Sequence, residues 1–349
     1  MSRFHLLTIK EVRRETPNSV SVLFDVPESL KPDYTFKAGQ YVNIKYHFDG
    51  KEIRRAYSIC ATPKSGELRV AIKKVESGAF STFANTELKA GNTLEVGTPE
   101  GRFILEPQAT AQNNYAAFVA GSGITPVMSI IQTVLEEEPN SSFVLIYGNK
   151  KVAETIFHDA LHQLQQKYIN RFFVHFVYSK EREAESLFGR IEKSVVNFVI
   201  NNKHKEKTFE RFFLCGPEEM IDTVSAVLKE RNIPEKKILF EIFTPNNDGA
   251  KPIDAEGNAR VTVLVDDEET TFEMSRKNIL LDALLKEGID APYSCQGGIC
   301  SSCMCRIQKG TAIMQKNSIL TDSEIQEGLI LSCQAIVTSD EIYIDFDDV

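Results

Sequence analysis

Four cysteines near the C-terminus constrain this chain more than any other feature of its sequence. Three follow the spacing Cys295-x4-Cys300-x2-Cys303, and Cys333 comes later. The chain has seven cysteines, an odd number, and most of them cluster here, which indicates a metal centre rather than a disulfide framework. A [2Fe-2S] cluster needs four thiolates, two for each iron, and the Gly297-Gly298 pair lets backbone N–H groups approach the sulfides. The sequence therefore predicts a [2Fe-2S] cluster held by these four cysteines.

Two alternatives bear on this centre. A structural zinc site is normally built from two Cys-x2-Cys pairs, and this region contains only one. Cys305 extends a Cys303-Met304-Cys305 run, so the third ligand could shift by two residues. The spacing favours Cys303, and we expect Cys305 to be a small buried side chain. Residues 260–349 resemble the plant-type ferredoxins, which implies an α+β domain of the β-grasp type, although Gln296 stands where related domains often have arginine.

Two other segments and a linker precede this module. Residues 1–106 alternate short strands, rich in β-branched and aromatic residues, with turns, a pattern typical of an antiparallel β-barrel. In residues 107–243 apolar strands alternate with helical stretches, which predicts an α/β domain with a doubly wound parallel sheet. Residues 244–259 are polar and rich in proline and glycine, as in a flexible linker. We therefore expect a multidomain chain.

Three segments of the first domain resemble the flavin site of ferredoxin–NADP⁺ reductase-like enzymes. Arg55-Ala56-Tyr57-Ser58 ends a predicted strand and matches their R-x-Y-S segment. Ser77-Gly78-Ala79-Phe80-Ser81 opens a predicted helix, and Pro99-Glu100-Gly101-Arg102-Phe103 follows in the expected order. Alone, the first of these segments would be a weak pattern. Together, the three predict a bound flavin.

The resemblance also assigns roles to these residues. Arg55 neutralises a pyrophosphate, and Tyr57 packs on the isoalloxazine ring. Ser58 reaches the N5 edge of that ring, and Ala56 separates Arg55 from Tyr57 in the motif. Gly78, Phe80 and Ser81 form the phosphate-binding turn, since free N–H groups at a helix start and a serine hydroxyl suit a phosphate. The resemblance implies FAD rather than FMN, because this helix needs a pyrophosphate to meet.

The second domain carries two segments expected at a nicotinamide site. Gly121-Ser122-Gly123-Ile124-Thr125-Pro126 is a glycine-rich turn between a strand and a helix, where Gly121 and Gly123 permit close approach of a cofactor. The same reductases carry G-x-G-x-T-P here and Cys-Gly-Pro later, matched by Cys215-Gly216-Pro217. The resemblance implies that Thr125 and Cys215 hold the nicotinamide C4 over the flavin N5, a proximity effect, with Ser58 as the third catalytic residue. The alternative for Cys215 is a small buried residue without a role.

Three residues bear on the choice of nicotinamide. Ser179 and Lys180 follow the predicted strand Phe172–Tyr178, and Arg190 comes shortly after. A site for NADH usually places Asp or Glu near the ribose 2′-hydroxyl, whereas a 2′-phosphate needs cations. These residues therefore favour NADPH over NADH.

The order of the three modules matches the reductase components of multicomponent oxygenases. That resemblance implies electron transfer from NADPH through FAD and the cluster to a protein acceptor, an oxygenase component. Two alternatives remain: a reductase with another acceptor, and a redox-sensing regulatory protein whose cluster is the signal.

Charge and hydropathy narrow the set of partners. Residues 260–349 hold 16 acidic and 7 basic residues, so the whole net charge of −9 resides there. Nucleic acid is an unsuitable partner for such a module. Its acidic surface either keeps the domain soluble or steers it towards a basic acceptor. The longest apolar stretches are too short to span a bilayer, and the N-terminus has no apolar signal core, so we expect a cytoplasmic protein without a membrane partner.

Overall fold

A computed structural model of the chain describes residues 3–243 and 255–349. The chain forms two compact units, one spanning Phe4–Phe243 and the other C-terminal, which we describe separately. Most of the linker expected at 244–259 lies outside the described residues. No helix among the described residues is long and apolar enough to cross a membrane.

The N-terminal third forms an antiparallel barrel, as predicted. Its strands lie in the order β4-β3-β6-β1-β2-β5, and they are β1 (Phe4–Thr16), β2 (Ser19–Asp25), β3 (Tyr41–Phe48), β4 (Lys51–Ser58), β5 (Leu68–Lys73) and β6 (Thr93–Gly97). A backbone hydrogen bond of 2.8 Å from Cys60 N to Arg69 O joins the outer strands and closes the sheet. Helix α1 (Ala79–Thr86) follows β5 and buries Phe80 and Ala84 in the barrel core.

The next part is the predicted doubly wound sheet, and all its strand pairs are parallel. The strands lie in the order β10-β9-β8-β7-β11-β12. They are β7 (Asn114–Ala120), β8 (Ser142–Asn149), β9 (Phe172–Tyr178), β10 (Leu187–Phe188), β11 (Phe209–Gly216) and β12 (Ile238–Ile242). The helices are α2 (Ile124–Glu137), α3 (His158–Lys167), α4 (Lys193–Asn197) and α5 (Glu218–Glu230). The strand order reverses at β7, so ligands are expected at the carboxyl ends of β7 and β11.

Several apolar side chains at the edge of the barrel pack into the core of the parallel sheet. Phe103, which follows the barrel, lies edge-on to Phe213 of β11 with ring centroids 5.6 Å apart. Ser129 of α2 donates a hydrogen bond of 2.6 Å to the carbonyl of Ala61, which follows β4. These buried contacts hold the end of β4 against the carboxyl edge of the parallel sheet.

The C-terminal unit is an α+β domain. Its main sheet has the order β14-β13-β19-β15-β17, in which only β13 and β19 are parallel, and β16 pairs with β18 in a second small sheet. The strands are β13 (Asn258–Val265), β14 (Glu268–Ser275), β15 (Met304–Lys309), β16 (Ala312–Met314), β17 (Leu329–Leu331), β18 (Ala335–Val337) and β19 (Glu341–Asp345). Helix α6 (Leu280–Lys286) packs its leucines into the core, and α7 (Asp322–Gln326) is short. The first strand begins at Asn258, so the last two residues of the expected linker belong to this unit.

Candidate functional site

The loop between α6 and β15 brings three of the predicted cluster cysteines together. Cys300 donates a hydrogen bond to Cys295, with the two sulfurs 3.1 Å apart, and Gly297 N–H points at the Cys295 sulfur from 3.3 Å. Cys333 arrives from the short turn after β17, and its thiol is hydrogen-bonded to Cys295 and Cys303. The four thiols therefore converge, although Cys333 is distant in the sequence from the other three.

The electrostatics of this set favour a thiolate. The pKa of Cys295 lies well below its usual range, because hydrogen bonds from the thiols of Cys300 and Cys333 and from backbone N–H groups stabilise the charged sulfur. The same contacts, together with burial, raise the pKa of Cys300 and Cys333. Sharing of protons among Cys295, Cys300 and Cys333 is the expected state of a ligand set from which metal would displace those protons.

The loop that carries these cysteines fits a bound [2Fe-2S] cluster. A side chain at Gly298, where φ is +71°, would come within 2.9 Å of the Lys316 carbonyl, so the loop admits only glycine there. The buried hydroxyls of Ser294 and Ser332, each next to a cysteine, have no hydrogen-bond partner among the described residues. Each iron of a [2Fe-2S] cluster needs only two protein thiolates.

Cys305 is placed differently from the other four. It lies in β15, opposite Ile330 of β17, and its side chain is fully buried in the domain core. Burial, then the nearby Cys303, raise the pKa of its thiol well above the usual range. A protonated thiol that packs against apolar side chains is a poor metal ligand.

The R-x-Y-S segment forms the end of β4. Tyr57 packs against Phe80 of α1 with ring centroids 5.6 Å apart, and burial raises the pKa of its phenol, so it stays neutral. Arg55 is exposed, whereas the neighbouring Arg54 is buried and paired with Glu52 at 2.7 Å. Of these two arginines, only Arg55 is therefore accessible to an anion that binds from solvent.

The turn before α1 differs from expectation at Ser81. Its hydroxyl accepts a hydrogen bond of 3.1 Å from Val75 N–H and donates one of 3.3 Å to Gly78 O, so it closes the turn instead of pointing outward. A side chain at Gly78 would lie 2.4 Å from that hydroxyl. An anion at this turn would therefore meet the backbone N–H groups that begin α1, with Ser81 holding their arrangement.

The two nicotinamide segments lie in direct contact. A side chain added at Gly123 would lie 2.1 Å from the carbonyl oxygen of Cys215, at the end of β11. Thr125 donates a hydrogen bond of 3.0 Å to Ser122 O, and the Gly121 carbonyl accepts one of 2.9 Å from Tyr147. These contacts hold the glycine turn against the Cys-Gly-Pro segment.

Gly216 and Pro217 complete the Cys-Gly-Pro segment at the carboxyl end of β11. A side chain at Gly216 would lie 2.7 Å from the terminal methyl of Met220, and Pro217 leads into α5. Burial, and then the adjacent Glu241, raise the pKa of Cys215, so its thiol is protonated. A neutral thiol at this point can position a ligand but is not a nucleophile.

Glu241 is the residue that the sequence interpretation missed. It lies in β12 directly beside Cys215 in the parallel register, and its carboxylate accepts a hydrogen bond of 3.4 Å from Ser58. Burial raises the pKa of Glu241 to about 8, although the Ser58 hydrogen bond opposes that shift. The one available signal was an acidic residue inside the apolar strand Ile238–Ile242. Ser58, Cys215 and Glu241 thus meet at the carboxyl edge of the sheet.

The three residues expected near the ribose 2′ position of the nicotinamide cofactor lie at one edge of the parallel sheet. They are Ser179, Lys180 and Arg190. Ser179 and Lys180 follow β9 directly, and their N–H groups bond to the carbonyls of Asn149 and Lys150. Arg190 comes two residues after β10, which runs parallel to β9, and both Lys180 and Arg190 are exposed. The neighbouring carboxylate of Glu181 accepts a hydrogen bond of 2.9 Å from Val152 N–H.

Three family models match the chain in the predicted order. An oxidoreductase FAD-binding domain matches residues 7–104, and an oxidoreductase NAD-binding domain matches residues 118–226. A 2Fe-2S iron-sulfur cluster binding domain matches residues 263–338. The predictions of FAD, a nicotinamide cofactor and a [2Fe-2S] cluster are confirmed, whereas these models do not distinguish NADPH from NADH.

Curated relatives match over nearly the full length. The chain is 38% identical over 352 residues to one of the subunits of 1,2-phenylacetyl-CoA epoxidase from Escherichia coli (strain K12), covering 99% of both chains. The segments Lys73–Ser81 and Cys215–Met220 already indicate this likeness from the sequence. The chain is also 32% identical to the ferredoxin reductase component of 3-ketosteroid-9-alpha-monooxygenase from Rhodococcus rhodochrous, covering 99% of this chain and 97% of that one.

Solved structures share the fold. Phthalate dioxygenase reductase, described as a modular structure for electron transfer from pyridine nucleotides to [2Fe-2S], matches 98% of both chains with a TM-score of 0.61 at 22% identity. An intact type IV self-sufficient cytochrome P450 monooxygenase matches 98% of this chain and 41% of its own, with a TM-score of 0.71 at 19% identity. The chain therefore belongs to the family of oxygenase reductase components, oxidoreductases that carry electrons from NAD(P)H through FAD to a [2Fe-2S] centre within one polypeptide.

Proposed function

We propose that this reductase oxidises NADPH and delivers electrons singly to the oxygenase component of a phenylacetyl-CoA epoxidase. The full-length identity of 38% to a subunit of such an enzyme carries this proposal. The flavin accepts a hydride and the cluster takes single electrons, which is the chemistry that those groups supply when bound. We also propose domain limits of 1–106 and 107–243, and a third domain that begins at Asn258 instead of at the expected 260 and runs to 349. We further propose a cytoplasmic location, where cysteines stay reduced.

Reconstitution tests the proposed acceptor. The holoenzyme, NADPH, O2, phenylacetyl-CoA and the matching oxygenase component should together form the epoxide, with the second oxygen atom of O2 leaving as water. Omission of any of these components should stop product formation. Rapid NADPH oxidation with cytochrome c, but no product with the oxygenase, would favour a reductase with another acceptor. Absence of rapid electron transfer to either protein would favour a redox-sensing role.

In the flavin domain, four residues hold the cofactor in distinct ways. Exposed Arg55 and the backbone N–H groups at the start of α1 bind the pyrophosphate, and Ser81 fixes the turn that presents them. Tyr57, held by Phe80, packs on the isoalloxazine ring. Ser58, which is hydrogen-bonded to Glu241, would contact the reacting edge of the bound flavin.

In the nicotinamide domain, the residues mainly position the ring. Gly121 and Gly123 keep side chains out of the turn, so that the dinucleotide backbone can approach. Thr125 and the neutral thiol of Cys215 flank the nicotinamide, and Gly216 and Pro217 set the direction of the chain after Cys215. Orientation of this kind, without acid–base chemistry at Cys215, suits hydride transfer.

We expect the rate of hydride transfer to fall as pH rises through about 8, and Glu241→Gln to remove that dependence. Glu241 has a pKa of about 8, so it is neutral below that pH and negatively charged above it. Arrival of a hydride adds negative charge nearby, and an ionised carboxylate would oppose it. Stopped-flow bleaching of the flavin band between pH 6 and 10 measures the rate. An unchanged pH profile in the variant would assign the dependence to another group.

The second prediction concerns the cofactor: NADPH should exceed NADH in kcat/KM, and Lys180→Glu should narrow or reverse the difference. Each hydrogen bond between a cation and the 2′-phosphate contributes about 1.5–3 kcal/mol, roughly one to two decades. Lys89→Glu, at an exposed lysine of the barrel domain, makes the same charge change as a control and should leave the preference unaltered. Equal use of both cofactors by the unmutated protein would reject the assignment.

The third prediction is that electron transfer to the oxygenase slows as salt rises. The net charge of −9 lies entirely in residues 260–349, and the Debye length falls from about 30 Å at 0.01 M salt to about 8 Å at 0.15 M. Hydride transfer has its own salt dependence through Lys180 and Arg190, so stopped-flow must resolve the two steps. If the second-order rate constant for electron transfer to the oxygenase stays constant over this range of salt, the acidic residues serve solubility and do not steer association.

A further inference from the structure

Four of the six histidines form two close pairs on the parallel-sheet domain. His158 and His162 lie one turn apart on α3, with their Nε2 atoms 3.3 Å apart. His175 of β9 and His204 have their Nε2 atoms 2.8 Å apart. Neither pair belongs to the flavin, nicotinamide or cluster site described above.

The His158–His162 pair has the geometry of a chelate. Zinc–imidazole bonds are about 2.0–2.1 Å long, so two nitrogens at a tetrahedral angle lie about 3.3–3.4 Å apart. The observed 3.3 Å between the Nε2 atoms matches this separation. Both rings also pack on Phe176 with centroid distances of 5.2 Å, which restrains their rotation.

Charged groups near the His158–His162 pair favour a bound cation. Those near the His175–His204 pair disfavour a bound cation. The carboxylate of Asp159 lies 3.2 Å from Nδ1 of His158, which favours a proton on Nδ1 and leaves the Nε2 lone pair for a metal. His204, by contrast, is buried, and Lys203 and Lys207 add positive charge beside that pair.

We propose that His158 and His162 form a surface binding site for a late first-row divalent transition metal, with Asp159 as the orienting residue. Imidazole nitrogens suit Zn²⁺, Ni²⁺ and Cu²⁺, and water fills the remaining positions because His162 is exposed. When the ion is bound, each neutral ring carries its proton on Nδ1, so the proton that His162 shares through Nε2 moves to its own Nδ1. It is separate from the iron centre in the C-terminal unit.

Calorimetric titration of the untagged holoenzyme with Zn²⁺ tests the site. We expect saturable binding of one Zn²⁺ per chain that is at least tenfold weaker in His158→Asn and in His162→Gln, and unchanged in His204→Gln. Asp159→Asn should weaken binding by about tenfold or more, as removal of an outer-shell carboxylate typically does. Flavin and iron contents, measured on each variant, confirm that the comparison is between folded proteins with intact clusters.

A register variant supplies the matched control. His162→Gln combined with Gln163→His keeps the number of histidines but turns the second ring by about 100° around the helix, away from His158. We expect it to bind Zn²⁺ as weakly as His162→Gln. Equal binding by the unmutated protein and either of these variants would overturn the proposal and place the Zn²⁺ on other ligands.

Discussion

Replacement of any one of Cys295, Cys300, Cys303 and Cys333 by serine is expected to abolish the [2Fe-2S] cluster. Each thiol belongs to the convergent set, and three ligands leave one iron without a second protein thiolate. The variants should retain flavin and should still oxidise NADPH with ferricyanide, because those steps belong to the unit spanning Phe4–Phe243. Iron and sulfide contents per chain, with the visible spectrum, measure the outcome.

Cys305 provides the control for this prediction. Cys305→Ser and Cys305→Ala should both keep two irons per chain, since this thiol lies in β15 within the apolar core. The alanine variant separates ligation from the cost of burying a hydroxyl, which alone could lower stability. Iron loss in both Cys305 variants, together with retention in Cys303→Ser, would show that the third ligand is Cys305.

Sequence spacing was sufficient where the site is local. Three cluster ligands lie in one loop, and the glycine turn at Gly121–Gly123 joins a strand to the helix that follows it, so their chemistry can be read along the chain. The strands were equally accessible, because β-branched and aromatic residues between turns indicate them directly. Phe172–Tyr178, for example, forms a strand with the predicted bounds.

Spacing was insufficient where the site depends on distant segments. Glu241 is one acidic residue in an apolar strand, and only the register of β12 beside β11 places it next to Cys215. The contact between Glu241 and Ser58 forms because the end of β4 lies at the carboxyl edge of the parallel sheet. No local sequence pattern indicates this tertiary contact. Ser81 shows the same limit, since its turn-closing bonds depend on the backbone around Val75 and Gly78.

The largest effect in the nicotinamide domain is expected for Gly123→Ala, which should reduce NADPH-driven flavin reduction by roughly 10²-fold or more, since a misplacement of about 1 Å can have that effect. The added methyl would lie 2.1 Å from the Cys215 carbonyl oxygen and 2.6 Å from its carbon, and both are backbone atoms that cannot rotate away. The start of α2 must therefore move away from β11. Stopped-flow reduction by NADPH measures the loss.

The cause is steric, and two comparisons separate it from other effects. Gly123 has φ of −60°, which alanine adopts readily, so backbone strain does not contribute. Gly121→Ala presents the opposite case, with φ of +56° but its nearest neighbour, Lys73 Nζ, at 3.6 Å; strain of about 1–2 kcal/mol should lower stability and leave hydride transfer less affected. Dithionite should still reduce the cluster in both variants, because that centre lies in the other unit. If Gly123→Ala folded with full flavin content and reduced as fast as the unmutated protein, the contact between the glycine turn and Cys215 would not be what positions the nicotinamide.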